Sequence, residues 1–134
     1  MKVGKGIYAA LTANAGLTAL VSTRIYPDYG IQKPTLPYIV YTVLQTNTSP
    51  TKDGASKLDT IRIQVDTWSD SFEQAQTVSE QVRAVLEFIT PGTYGTVVID
   101  GAHLRDEMNI NPITASVEMG LFGVSQEYEV RIKR

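Results

Sequence analysis

His103 is the chain's one histidine, so any Ser-His-Asp relay or imidazole-bound metal would have to be built on it. Asp100 and Asp106 flank it in sequence, and Ser116 and Ser125 are hydroxyls that a fold could bring to it. Yet no G-x-S-x-G elbow or H-E-x-x-H run is present, and one imidazole cannot make a His-rich zinc site. Asp100-Gly101-Ala102-His103 reads instead as a turn after a strand. Carboxylates pair at Asp66 with Asp70 and at Asp106 with Glu107. Acid–base work would require burial to split their proton affinities, whereas positions at strand ends and turns suit solvated caps. Gly4-Lys5-Gly6 lacks the preceding strand and third glycine of a dinucleotide fingerprint, and no G-x-x-x-x-G-K-[ST] occurs. The stretch Asp66 to Asp70 lacks the glycine and distal glutamate of a calcium loop. Asn47-Thr48-Ser49 is a formal glycosylation sequon with no secretion signal to give it meaning. There is no cysteine, so disulfides, thiolate metal sites and Cys nucleophiles drop out. These patterns assign no catalytic, cofactor-binding or metal-ligating residue, and the chain reads as a non-enzyme.

Composition narrows the remaining classes. The 134 residues carry 12 Lys+Arg against 14 Asp+Glu, a net charge of −2, with 43% hydrophobic and 19% charged residues. Such a chain is no disordered tail, collagen-like fibre or integral membrane protein. It has no basic excess with which to neutralise phosphates, which argues against direct, sequence-specific nucleic-acid binding. The length fits a single domain over residues 1–134 with one core.

The elements that would position any site follow from periodicity. Ile7, Leu11 and Ala15 fall at i, i+4 and i+8, a helical spacing, and the apolar run Ile7 to Leu11 is too short for a secretory signal. Gly16 is expected to end this helix, with Leu17, Leu20 and Val21 adding a further turn. The prolines of Tyr26-Pro27 and Lys33-Pro34-Thr35-Leu36-Pro37 favour an extended connection. Tyr38 to Leu44 is β-branched and aromatic, a strand apolar on both faces. Leu58 to Trp68 alternates, with Ile61, Ile63 and Val65 opposed to Arg62, Gln64 and Asp66. Trp68 suits a strand–helix junction that seals the core edge, or a surface anchor.

A long helix should run from a cap supplied by Ser69-Asp70-Ser71, in which Asp70 and Glu73 fit a capping box, to about Ile89. Its apolar stripe is Phe72, Ala75, Val78, Val82, Val85, Leu86 and Ile89, and Thr90-Pro91-Gly92 stops it. Three β segments are expected after it, over Thr96 to Asp100 (or on through Arg105), Ile113 to Met119, and Leu121 to Lys133. The fold class is therefore α+β, with an antiparallel or mixed sheet and two main helices packed on one face.

Between the first two strands lies Gln45 to Lys57, QTNTSPTKDGASK, with no large apolar side chain. It reads most simply as a long polar β-hairpin arm, far longer than the usual 2–5 residue loop. Two readings stand open: an arm that reaches a partner, or an ordinary polar loop. On the first, Thr48, Ser49, Thr51, Lys52, Asp53 and Lys57 are the candidate protein-interaction residues.

Leu17-Thr18-Ala19-Leu20-Val21 leads into Arg24-Ile25-Tyr26-Pro27 and then Leu36-Pro37-Tyr38-Ile39-Val40-Tyr41. After the arm come Ile63-Gln64-Val65-Asp66-Thr67-Trp68-Ser69, a long helix and C-terminal strands. As an ordered set these segments resemble the tail-completion, or tail-terminator, proteins of long-tailed bacteriophages over essentially the whole chain. The resemblance implies a structural virion protein without cofactors. It would form a homo-oligomeric ring, commonly a hexamer, that caps the head-proximal end of the tail tube and ends tube polymerisation. Its implied partners are the tail tube protein and a head-completion or connector protein, with assembly in the host cytoplasm and no membrane. Two alternatives are kept: another head–tail connector component, and a small hydrolase or ligand-binding domain using His103.

Overall fold

The alternation of Ile61, Ile63 and Val65 with Arg62, Gln64 and Asp66 is realised as a strand whose apolar side chains are buried and whose polar ones lie on the other face. That strand is central to a six-stranded mixed sheet in the computed structural model, which describes residues 3–22, 24–27, 36–51, 54–87, 89–110 and 122–133. In chain order the elements are α1 (Val3–Thr12), α2 (Ala15–Val21), β1 (Ile25–Pro27), β2 (Tyr38–Thr51), β3 (Gly54–Ser69), α3 (Phe72–Leu86), β4 (Gly92–Tyr94), β5 (Val97–Ile110) and β6 (Phe122–Lys133). The sheet order is β1-β2-β3-β6-β5-β4. β1 runs parallel to β2, and every other neighbouring pair is antiparallel.

One apolar cluster joins the helices to the sheet. Val3, Ile7 and Leu11 of α1, Leu17 and Val21 of α2, and Val78, Val82 and Leu86 of α3 meet Ile39, Ile61, Ile63, Val65, Ile99, Tyr128, Val130 and Ile132. Each fully buried aliphatic side chain contributes about 1.5–3 kcal/mol. The fit is close at α1: a Cβ on Gly6 would lie 3.0 Å from Val97 Cβ.

The helices differ in detail from the sequence expectation. Among the described residues there are three, because the N-terminal segment breaks at Asn14, whose Oδ1 accepts the Leu17 N–H at 2.8 Å and caps a separate α2. Gly16 therefore sits in the first turn of α2 instead of ending α1. At α3 the cap is Ser71, the last residue of the expected Ser69-Asp70-Ser71 segment, and not the Asp70–Glu73 box: Ser71 Oγ accepts the Gln74 N–H at 3.4 Å. Ser69 Oγ donates to Gln74 Oε1 at 2.7 Å and accepts the Ser71 N–H at 3.1 Å, a second tie on the same turn. The helix closes at Leu86, where Glu87 turns extended, so Ile89 is buried from beyond its end. Phe72 is no core residue. It is 55% exposed and stacks edge-on against Phe122, ring centroids 6.0 Å apart.

The strands also run longer than apolar patterning suggested. β2 and β3 pair beyond Leu44 and Leu58 out to Thr51↔Gly54, with irregularities between Val43 and Gln45 and between Thr48 and Pro50. Thr46, Thr48 and Thr51 have β-branched side chains that suit an extended backbone without needing burial. β5 continues to Ile110, past Arg105, because β6 pairs with it along that length. A short hairpin missed in the sequence joins β4 to β5 through Gly95 at φ +63°, where glycine carries no Cβ penalty. The segment Ile113 to Met119 lies outside the described residues.

Candidate protein-interaction surfaces

The sheet face turned away from the apolar cluster can be written row by row from the strand register. Along β2, β3, β6 and β5 the rows are Tyr38–Trp68–Gly123–Ile110, then Val40–Asp66–Ser125–Met108, then Thr42–Gln64–Glu127–Asp106. Gln45–Arg62–Glu129–His103 and Asn47–Thr60–Arg131–Gly101 follow. The first two rows include buried side chains, with Val40, Asp66 and Trp68 all nearly inaccessible. The later rows carry cross-strand charge: Arg62 pairs with Glu127 and Arg105 with Glu129, while Lys133 lies 4.0 Å from Asp100. These half-exposed pairs contribute little net stability each, about 0–1 kcal/mol, but fix a patterned polar face.

Asp66 is the electrostatic exception. Burial pushes its carboxyl above the ordinary value of 3.8, and hydrogen bonds from Ser125 and Gln64 offset part of that rise. Gln64 Nε2 reaches both Asp66 oxygens at 3.0 Å. On the helix side, Gln126 is fully buried and its Nε2 donates to Ser79 O at 3.1 Å and Glu107 Oε1 at 2.7 Å. Beside it in the core, Tyr128 has its hydroxyl pushed strongly up in pKa by burial, reinforced by the Glu107 and Glu87 carboxylates. Neither Tyr128 OH nor Gln126 Oε1 has a partner among the described residues.

The groups that could have done chemistry are dispersed by this register. His103 is half-buried on β5 opposite Glu129. Ser125 lies four residues from Glu129 along β6, about 13 Å, beyond hydrogen-bond reach of that histidine. Asp106 pairs with Glu127 and Glu107 with Gln126, so the adjacent carboxylates point to opposite faces. Asp66 is buried while Asp70 is exposed in the turn before α3. Ser116 lies outside the described residues. Among the described residues no cluster of three or more metal-ligating side chains forms, and no helix is long and apolar enough to cross a membrane. Trp68 is buried at the end of the outer face and is not a surface anchor.

Of the expected interaction residues, Thr48, Ser49, Thr51 and Lys57 fall at the far end of the β2–β3 ribbon. Thr48 is in register with Asp59 and Thr51 with Gly54, and Ser49 and Lys57 lie on the same two strands. Lys52 and Asp53 lie outside the described residues. Sequence reasoning missed a different feature, the sheet's flanks. β1 covers β2 only as far as Tyr41, and β4 covers β5 only as far as Ile99. Among the described residues the outer edges of Thr42–Thr51 and Asp100–Ile110 are thus not paired with any strand. The available signal was the uncharged, β-branched run Thr42 to Ser49, which has no proline or lysine to blunt it.

Comparison with known proteins bears on this architecture. The family model described as "Tail completion protein gp17" matches residues 5–132. Among solved structures, a chain described as "Virion of native gene transfer agent (GTA) particle" superposes with a TM-score of 0.71 at 19% identity. It covers 96% of this chain and 92% of that one, a likeness of fold. No curated protein sequence matches the chain.

Proposed function

The chain belongs to the tail completion protein gp17 family and its role is a structural one in a phage tail; we propose that its copies close into a ring capping the head-proximal end of the tail tube. The ring, most simply a hexamer, stops addition of tube subunits and offers its other side to a head-completion or connector protein. The family match across nearly the whole chain is the observation that carries this reading. The dispersal of His103, Ser125 and the carboxylates agrees with it, since a capping protein acts by shape and contact. A head-to-tail interface whose rotation closes gives each subunit the same exposed patches. The tip of the β2–β3 ribbon, with Thr48, Ser49, Thr51, Lys52, Asp53 and Lys57, is the part that reaches a partner, its polar groups setting specificity more than affinity. The protein acts in the virion after assembly in the host cytoplasm. The single-domain organisation over residues 1–134 belongs to the same proposal.

The test is addition of the purified chain to polymerising tail tube protein, with tube length read by negative-stain electron microscopy. Substoichiometric chain should shorten the tubes and place density at one end. An unchanged length distribution with the chain bound elsewhere would favour a connector role, and no binding at all would remove the reading.

A further inference from the structure

Three reversals separate β2 from β5 across β3 and β6, so the two long strands at the flanks run in opposite directions. If one sheet is set beside a copy of itself, head to tail, the outer edge of β5 meets the outer edge of β2 antiparallel, like the pairs inside the sheet. Carried across without offset, the rows put Asp106 beside Thr42 of the next copy, His103 beside Gln45 and Gly101 beside Asn47. Those stretches are the parts that β1 and β4 leave without a strand partner among the described residues. Val43 is 38% and Leu44 47% accessible, and on β5 Arg105 and Asp106 are exposed and His103 and Leu104 half-buried, while Gly101 and Ala102 are buried.

We infer that a second copy of this chain occupies these edges, Gly101–Asp106 of one subunit pairing antiparallel with Thr42–Asn47 of the next, so that the sheet continues from subunit to subunit. This rests on the ring reading and specifies its interface. Strand addition of this kind takes its affinity from main-chain hydrogen bonds and its selectivity from neighbouring side chains. The choice of a heterologous contact follows from the two edges. Gly101–Asp106 carries Arg105 and Asp106, whereas Thr42–Asn47 carries no charge, so the edges differ in character and neither is an obvious mate for itself. The register shifts at Leu44 in β2 and Arg105 in β5 both border the row Val43–Ile63–Tyr128–Leu104. Bulges bend and twist a strand, and bent edges at matching levels turn each copy relative to the last instead of extending a flat ribbon.

The chain's lack of cysteine makes the test direct. Two double variants, Thr42→Cys with Asp106→Cys and Gln45→Cys with His103→Cys, are oxidised and run without reductant, beside the four single variants. At least one double variant should give a ladder of linked species up to the ring number, while the singles stay monomeric on the gel. Leu44→Lys, at an exposed position, should lower the oligomeric mass by light scattering while keeping the wild-type circular dichroism spectrum. Dimers from a single variant would overturn the inference in favour of a two-fold contact. Oligomers by light scattering with no ladder from either double variant would overturn it and leave the ring reading standing. A chain that stays monomeric and leaves tube length unchanged would remove both.

Discussion

Ser22, the C-cap of α2, holds φ at 55° while its N–H donates to Thr18 O at 2.8 Å. In that region an L side chain crowds its own backbone, at a cost of about 1–3 kcal/mol, and glycine does not. Ser22→Gly keeps the N–H bond and removes the crowding, against some added freedom in the unfolded chain. Its net effect should be a gain of about 0.5–1 kcal/mol in urea unfolding. Asp66 makes a prediction of a different kind. Its folded-state pKa is raised, so the native protein holds this proton more tightly than the unfolded chain does. The stability this provides is complete below 3.8, the ordinary value, and is lost as pH rises through the raised pKa. Asp66→Asn fixes the neutral form. The melting temperature of the variant minus that of the wild type should therefore grow from pH 3 to pH 7, and a difference flat across that range would contradict the burial argument.

Among the elements, α3, β5 and β6 are tied together at Gln126, where one buried amide bonds a helix carbonyl and a carboxylate from the neighbouring strand. Gln126→Ala leaves a cavity and unpairs that junction, a loss of about 2–4 kcal/mol by denaturant titration. Tyr128→Phe is the contrasting case. It deletes a buried hydroxyl that has no partner among the described residues, so it should hold or raise stability, by up to about 1 kcal/mol. These two positions show where sequence reasoning ends. β6 was legible almost to the residue because Val124, Tyr128, Val130 and Ile132 alternate cleanly, but Gln126, polar and in the same inward phase, breaks the pattern. α3 was legible from Ala75, Val78, Val82 and Leu86, which face the core at helical spacing. The outer halves of β2 and β5 were not, since their order comes from backbone pairing that leaves no apolar trace. For the candidate site, the polar ribbon stood out by composition. The open edges did not, because an edge's exposure depends on how far its neighbours β1 and β4 extend, which no local pattern encodes.

At the level of the whole molecule, the outcome turns on the mismatch between long interior strands and short covering ones. A sheet whose flanking strands, β1 and β4, have three residues each leaves most of the length of β2 and β5 uncovered among the described residues. An isolated subunit would carry those edges as a liability, and natural sheets normally blunt them. With the edges joined between copies, the same feature becomes stabilising, and folding is then coupled to assembly. Anything that binds only the folded state raises apparent stability by mass action. Each tenfold rise in concentration should therefore add up to about 1.4 kcal/mol per subunit. The melting temperature should climb with protein concentration for the wild type and become independent of it in Leu44→Lys, with both converging at high dilution. Scanning calorimetry over a hundredfold range decides between the two. A wild-type transition that ignores concentration would mean that the subunit is stable with its edges open, and that the short covering strands suffice for it.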